Sequence, residues 1–214
     1  MANLKFYSTS NGIGHRTNKM VAGFFLILGP FLISMTSQAD TPAAPSLAAP
    51  LFSAKNQDGV DFKLESRKGV GFTVLFFYPK AGTPGCTKQA CAFRDSIKVI
   101  RDLGAEVYGI SADDIHAQKK FHDEHHMTFD LLSDSEGKVI QLYGVKMPVI
   151  TMAKRQTFVL DKELVIRKHF EDVDPAVDAK NVALVISQIQ AADAARNKVP
   201  ASPVTPPKKT LLKK

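Results

Sequence analysis

The run GFTVLFFY, Gly71–Tyr78, is continuously apolar and rich in aromatic and β-branched residues. Without polar alternation it predicts a strand buried on both faces. Pro79 and Pro84 end it, and a helix is predicted from about Cys86 to Leu103, stopped by Gly104. EVYGIS, Glu106–Ser111, predicts a second buried strand. DDIHAQKKFHDEHH predicts a helix capped by Asp113 or Asp114. FDLLSD reads as a short strand, and QTFVLD and LVIRKHF flank the turn DKE as an antiparallel pair. A last helix is predicted near Pro175, with Val177, Val182, Leu184, Val185 and Ile189 on its apolar side. Upstream, Asp58-Gly59 between two short alternating runs marks a hairpin. Together these elements predict an α/β fold with an N-terminal β-hairpin and a central mixed β-sheet flanked by helices.

The two ends have a different pattern. Residues 1–39 carry Lys5, Arg16 and Lys19 and no acid, run through VAGFFLILGPFLISM, and finish in SQA before Asp40. A basic start, an apolar stretch and small residues at minus three and minus one predict a secretory signal peptide cleaved after Ala39. The stretch is short of the roughly 20 apolar residues a spanning helix needs, so no stable membrane insertion is expected after cleavage. DTPAAPSLAAP, residues 40–50, reads as a Pro/Ala linker, and residues 51–197 as one domain. Residues 198–214, with five lysines, four prolines and no acid, read as a basic disordered tail.

Charge follows this division. The formal net charge is +7, but the leader holds three of the positives and the tail five, leaving 20 basic against 21 acidic residues between them. The basic character belongs to the ends, and no nucleic-acid surface is expected on the body.

Candidate chemistry lies in FFYPKAGTPGCTKQACAFRD, Phe76–Asp95, which holds both cysteines of the chain, Cys86 and Cys91. A zinc site needs further ligands at coordinating spacing. A structural disulfide is the ordinary use of paired cysteines outside the cytoplasm, although closing so short a loop stabilises by only about 2 kcal/mol. On a helix, five residues advance the chain by about 7.5 Å and turn it by about 140°. The Cα atoms then stand roughly 8 to 9 Å apart, beyond the ~7 Å a disulfide spans without backbone movement. A bridge there must unwind helix, which suits a bond that forms and breaks. Cys86 falls in the predicted first helical turn, where unpaired N–H groups and the positive end of the helix dipole favour a thiolate. Cys91 lies deeper, without that advantage, and suits a second, resolving role. The residues favour a redox pair over a staple.

The segment YPKAGTPGCTKQACAFRD resembles the active-site segment of the peroxiredoxins, in particular the Q-type or bacterioferritin-comigratory-protein group. Pro79, Thr83 and Cys86 meet the family pattern Pro-x3-Thr-x2-Cys, Cys91 stands at the group's usual resolving position, and RQTFVLD matches the Arg-x-Thr-Phe strand through Arg155. The similarity runs from about Leu51 to the last helix. It implies a thioredoxin-like fold and a thiol peroxidase. Cys86 would attack a hydroperoxide, Thr83 and Arg155 would orient it, Pro79 would shield the thiolate, and Cys91 would resolve the sulfenic acid. A thioredoxin-like or other thiol reductant is then implied as partner, with no metal, haem or flavin, and a monomer as the working unit.

Other signals point elsewhere. His116, His122, His125 and His126 lie beside Asp123 and Glu124, and His122 and His126 are spaced to share a metal on a helix, though a solvated face is the expected reading. Arg94 and Asp95 either buttress the pocket or pair on the surface. The competing function classes are a secreted thiol-disulfide exchanger, which usually carries C-x2-C, and a non-catalytic envelope-binding protein using the basic tail. The leader predicts an extracytoplasmic, periplasmic protein whose mature chain begins at Asp40. N-terminal sequencing of exported material should read from Asp40; an intact Met1 would contradict cleavage.

Overall fold

The computed structural model describes residues 47–198. The expected signal peptide, the linker up to residue 46 and the tail beyond Lys198 lie outside the described residues. Among the described residues, no helix is long and apolar enough to cross a membrane.

Seven strands form one mixed sheet: β1 Ser53–Asn56, β2 Asp61–Lys63, β3 Phe72–Phe77, β4 Ala105–Ser111, β5 Asp130–Ser133, β6 Gln156–Leu160 and β7 Ile166–Phe170. Their spatial order is β2-β1-β5-β4-β3-β6-β7. The central strands β3, β4 and β5 run parallel, and β6 lies antiparallel beside β3. The predicted hairpin is β1 and β2, joined through Gly59 at φ 77°, and β1 closes onto β5. Helix α1 is Pro84–Asp102, α2 Ile115–Glu124, α3 Lys138–Leu142 and α4 Asp178–Lys198.

Strand β3 explains why the sheet is covered on both sides. Val74, Phe76 and Tyr78 join one core with Ala90, Phe93 and Ile100 of α1 and Val182 and Ile186 of α4. Leu75 and Phe77 join a second core on the other face with Leu64, Ile140, Tyr143 and Phe158. Each fully buried aliphatic or aromatic side chain contributes on the order of 1.5–3 kcal/mol, so a run that is apolar at every position fits a central strand alone.

Two expectations need adjustment, and one left between two residues is decided. Leu47–Pro50 does not behave as free linker: Ala48 bridges Val165, and the Ala49 N–H donates to the Leu164 carbonyl at 2.8 Å. Asp114 is the cap of α2, accepting from the Ala117 N–H at 2.8 Å. Helix α4 keeps Val182 and Ile189 on its inner side as predicted, but not the whole predicted set. It buries Ala179, Val182 and Ile186, while Leu184 is 57% and Val177 41% exposed. Its buried stripe includes a carboxylate, Asp178, which hydrophobic periodicity does not count. The short α3 and a 3-10 turn at Leu64–Arg67 were not foreseen.

Gly109 of β4 sits between Phe76 and Leu131, its register partners on either side. A Cβ there would lie 2.6 Å from Phe76 Cζ and 2.8 Å from Leu131 Cδ2. Gly109→Ala is therefore expected to destabilise by about 1–3 kcal/mol through overpacking. A urea unfolding midpoint unchanged from wild type would contradict this packing.

Candidate active site

Strand β3 leads into the loop Pro79–Thr83, and that loop delivers the chain into α1. Gly82 takes φ 72°, which a side-chain-bearing residue rarely adopts, and turns the backbone toward the helix. Thr83 is extended and occupies the N-cap position, Pro84 is preset for the first helical turn, and the Thr87 N–H closes that turn on the Thr83 carbonyl at 2.8 Å. The Thr83 hydroxyl donates to the Lys80 carbonyl at 2.9 Å and makes no capping bond. The first-turn amides thus stay available for negative charge gathering at this end of the helix.

The loop is braced from β4. Asp113, the carboxylate not used as the α2 cap, accepts the Ala81 N–H and the Ser111 hydroxyl, both at 2.7 Å. Behind it, Gln118 donates to Ser111 Oγ at 2.9 Å and to the Leu132 carbonyl at 3.0 Å, and the Tyr78 hydroxyl donates to Gln118 Oε1. Burial pushes the Tyr78 phenol well above its usual range, so its hydroxyl stays a donor to Gln118.

Cys86, the third residue of α1, is 1% exposed. Arg155 stands immediately before β6, whose antiparallel register places Gln156 opposite Phe77 at the exit of β3. That pairing brings the Arg155 guanidinium over the start of α1, where Nη2 donates toward Cys86 Sγ at 3.4 Å. Gly85 eases the approach, since a Cβ at that position would crowd Nη2 at 3.2 Å. The other terminal nitrogen, Nη1, donates to Gln89 Oε1 at 2.6 Å. Gln89 Nε2 in turn donates to Asp178 Oδ2 at 2.7 Å, and the Thr157 hydroxyl donates to the same oxygen at 2.8 Å. Burial pushes the Asp178 carboxyl above the usual carboxylate range, with the bonds from Gln89 and Thr157 and the charge of Arg155 opposing the shift.

Of the five residues singled out from sequence, the fold brings Cys86 and Arg155 into contact. Pro79 and Thr83 frame the loop just before them, both half-buried. Cys91 lies further along the unbroken α1, half-buried against the same core as Cys86, and both thiols are free. Gln89, Thr157, Asp178 and Gly85 were missed. Gly85, Gln89 and Thr157 stood inside the quoted motifs, but nothing local marks Asp178, 89 positions from its partner Gln89.

Of the two roles considered for Arg94, the surface pairing is the one seen, and its further contact is to α2 and not to the site. It pairs with Asp95 at 2.8 Å, and it donates to the His125 carbonyl at 2.7 Å, tying α1 to the end of α2. His116 and His126 are exposed, and His122 and His125 are half-buried. Among the described residues, no three His, Cys, Asp or Glu side chains gather at metal-binding range.

A protein-family model described as AhpC/TSA family matches residues 45–169. A Populus jackii protein named Peroxiredoxin Q, chloroplastic, is 46% identical over 121 residues, covering 56% of this chain and 56% of that protein. A Triticum aestivum protein of the same name is 48% identical over 119 residues, covering 55% of this chain and 54% of its own length. The chain thus spans about half the length of these plant relatives. The crystal structure of the peroxidoxin BcpB from Mycobacterium tuberculosis is 33% identical with a TM-score of 0.64, covering 67% of this chain and 96% of that one. The bacterioferritin comigratory protein of Xanthomonas campestris, solved in work on its alkyl peroxide reduction, has a TM-score of 0.62 at 23% identity. It covers 64% of this chain and 91% of that one, and at that identity it speaks for the fold alone. The thioredoxin-like α/β class read from the sequence holds.

Proposed function

The chain belongs to the AhpC/TSA family, and from that premise we propose that it is a thiol-dependent peroxidase of the peroxiredoxin Q kind. It reduces hydrogen peroxide and organic hydroperoxides at Cys86. The observation that carries this reading is the 3.4 Å approach of Arg155 Nη2 to the buried Cys86 sulfur at the start of α1. A guanidinium held there faces both the nucleophile and the place where negative charge develops on the peroxide oxygens.

The chemistry runs in three steps. The Cys86 thiolate attacks the terminal oxygen of the hydroperoxide: the S–O bond forms, the O–O bond breaks, and the leaving alkoxide or hydroxide takes a proton to become alcohol or water. Cys86 is then a sulfenic acid. Arg155 and the Thr83 hydroxyl orient the peroxide, and Pro79 limits the access of water. In the second step the Cys91 thiol attacks the Cys86 sulfur and water leaves, giving an intramolecular disulfide. Finally, a thioredoxin-like dithiol reduces that disulfide by exchange and is itself oxidised.

Three further points belong to the same reading. Cys86, Gln89, Arg155 and Asp178 meet within one chain, so the proposed chemistry draws no residue from a second copy, and a monomer is proposed as the working unit. At 1% exposure, Cys86 admits a small hydroperoxide more readily than a protein disulfide, which weighs against a thiol-disulfide exchanger. The composition of residues 1–39 supports action outside the cytoplasm, where the reductant would be a local thiol donor rather than cytoplasmic thioredoxin. The plant relatives are named for the chloroplast.

Variants of the two cysteines test the proposal. Cys86→Ser is expected to consume no peroxide, since an alcohol is not ionised near neutral pH. Cys91→Ser should react once and then over-oxidise at Cys86 to sulfinic acid unless an external thiol is added, as read by intact mass. Because α1 is continuous through both positions, amide exchange across Thr87–Phe93 should be faster in the oxidised wild type than in the reduced form. Peroxide consumption by Cys86→Ser would overturn the assignment, and equal exchange in both redox forms would remove Cys91 as the resolving residue.

A further inference from the structure

We propose that Asp178 is a positioning residue for this reaction, fixing the amide of Gln89 so that its oxygen holds Arg155 against Cys86. The inference rests on the peroxidase reading above and adds to it a residue from the opposite end of the domain sequence. Asp178 is the first residue of α4 and is 2% exposed.

The argument comes from donor and acceptor balance. A primary amide presents two donors on one side and an acceptor on the other, and on its own it has no preference for which way it faces. A carboxylate only accepts. With Asp178 Oδ2 at 2.7 Å, Gln89 must turn its NH2 group toward α4, and its carbonyl oxygen then faces Arg155 Nη1 at 2.6 Å. Turned the other way, the NH2 group would meet the guanidinium donor to donor, and Arg155 would lose the contact that aims Nη2 at the sulfur. Thr157, through its 2.8 Å bond, holds the carboxylate in place.

Asp178 is an expensive residue to keep for packing alone. Of the groups around it, Gln89 from α1 and Thr157 from β6 are neutral, and the charge it feels is that of Arg155, beyond Gln89. A buried carboxylate without a directly paired cation costs folding free energy, and removing water from it raises its pKa, as found here. Its polarity has a use if it is relayed through Gln89 to the guanidinium.

Exchanging donor and acceptor tests the relay. Gln89→Glu still accepts from Arg155 but sets a carboxylate against Asp178, so that arrangement is competent only while the two acids share a proton. Its second-order rate constant with hydrogen peroxide, measured on reduced protein by stopped flow, should therefore fall as pH rises. At alkaline pH it should be at least about tenfold below wild type. Adding Asp178→Asn restores the pattern with the roles reversed: the amide introduced on α4 donates to the carboxylate introduced on α1 and accepts from Thr157. The double variant should return to within about threefold of wild type and lose the alkaline fall. Asp178→Asn alone, which keeps an acceptor oxygen, should lose less than Gln89→Glu.

If Asp178 merely supports the fold, the two substitutions would add and the double variant would be the slowest. Additive loss, or a wild-type rate for Gln89→Glu at alkaline pH, would overturn the proposal. The Arg155 Nε–H resonance gives a reading independent of activity. It should shift in Gln89→Glu and return in the double variant, and an unmoved resonance counts against the relay. Failure of the wild type itself to consume peroxide would refute the peroxidase reading, and this resonance would then judge the positioning role by itself.

Discussion

The site depends on holding a guanidinium 3.4 Å from a buried sulfur. Neither group stays there cheaply, because a cation loses water as it approaches the core and a thiolate has little water to begin with. The surrounding structure makes the arrangement hold. Antiparallel pairing of β6 on β3 fixes where Arg155 enters, and Gly85 leaves room for it. Gln89 engages the second guanidinium nitrogen, so both ends of the planar fork are committed. A lysine has one point of charge and cannot divide itself this way.

A tension runs through α1. As a continuous helix from Pro84 to Asp102 it places Cys86 beside Arg155, and the same continuity keeps Cys91 too far to bridge. Ala90 and Phe93, between and just beyond the two cysteines, are fully buried, and Phe93 stacks on Phe76 at 4.7 Å between ring centroids. Unwinding the first turns therefore gives up core packing as well as helical hydrogen bonds. Asp113 holds the loop that leads into the helix through the Ala81 N–H. With both thiols free the helix is packed, and the proposed Cys86–Cys91 disulfide would be reached at the expense of local order.

Much of this was legible in the chain. Strands β3 and β4 announced themselves because both faces of a central parallel strand need apolar residues, and Asp114 could be named as a cap candidate because capping is local. The Cys86–Arg155 contact was expected through the resemblance of two short motifs, not through periodicity. What escaped was long-range or polar. On α4 the inward Val182 and Ile189 were foreseen but Asp178 was not, because it faces Gln89 and Thr157, distant residues whose approach only the folded sheet creates. Helix α3 has five residues, too few for its periodicity to rise above that of a loop.

The most direct measurement is the stopped-flow rate constant for reduced Arg155→Lys with hydrogen peroxide, taken beside wild type and with folding checked by circular dichroism. Lysine keeps the charge and loses the paired donors. If the guanidinium activates peroxide at Cys86, the variant stays folded and reacts at least about a hundredfold more slowly. A folded variant reacting at the wild-type rate would contradict the role of Arg155 and the site built around it.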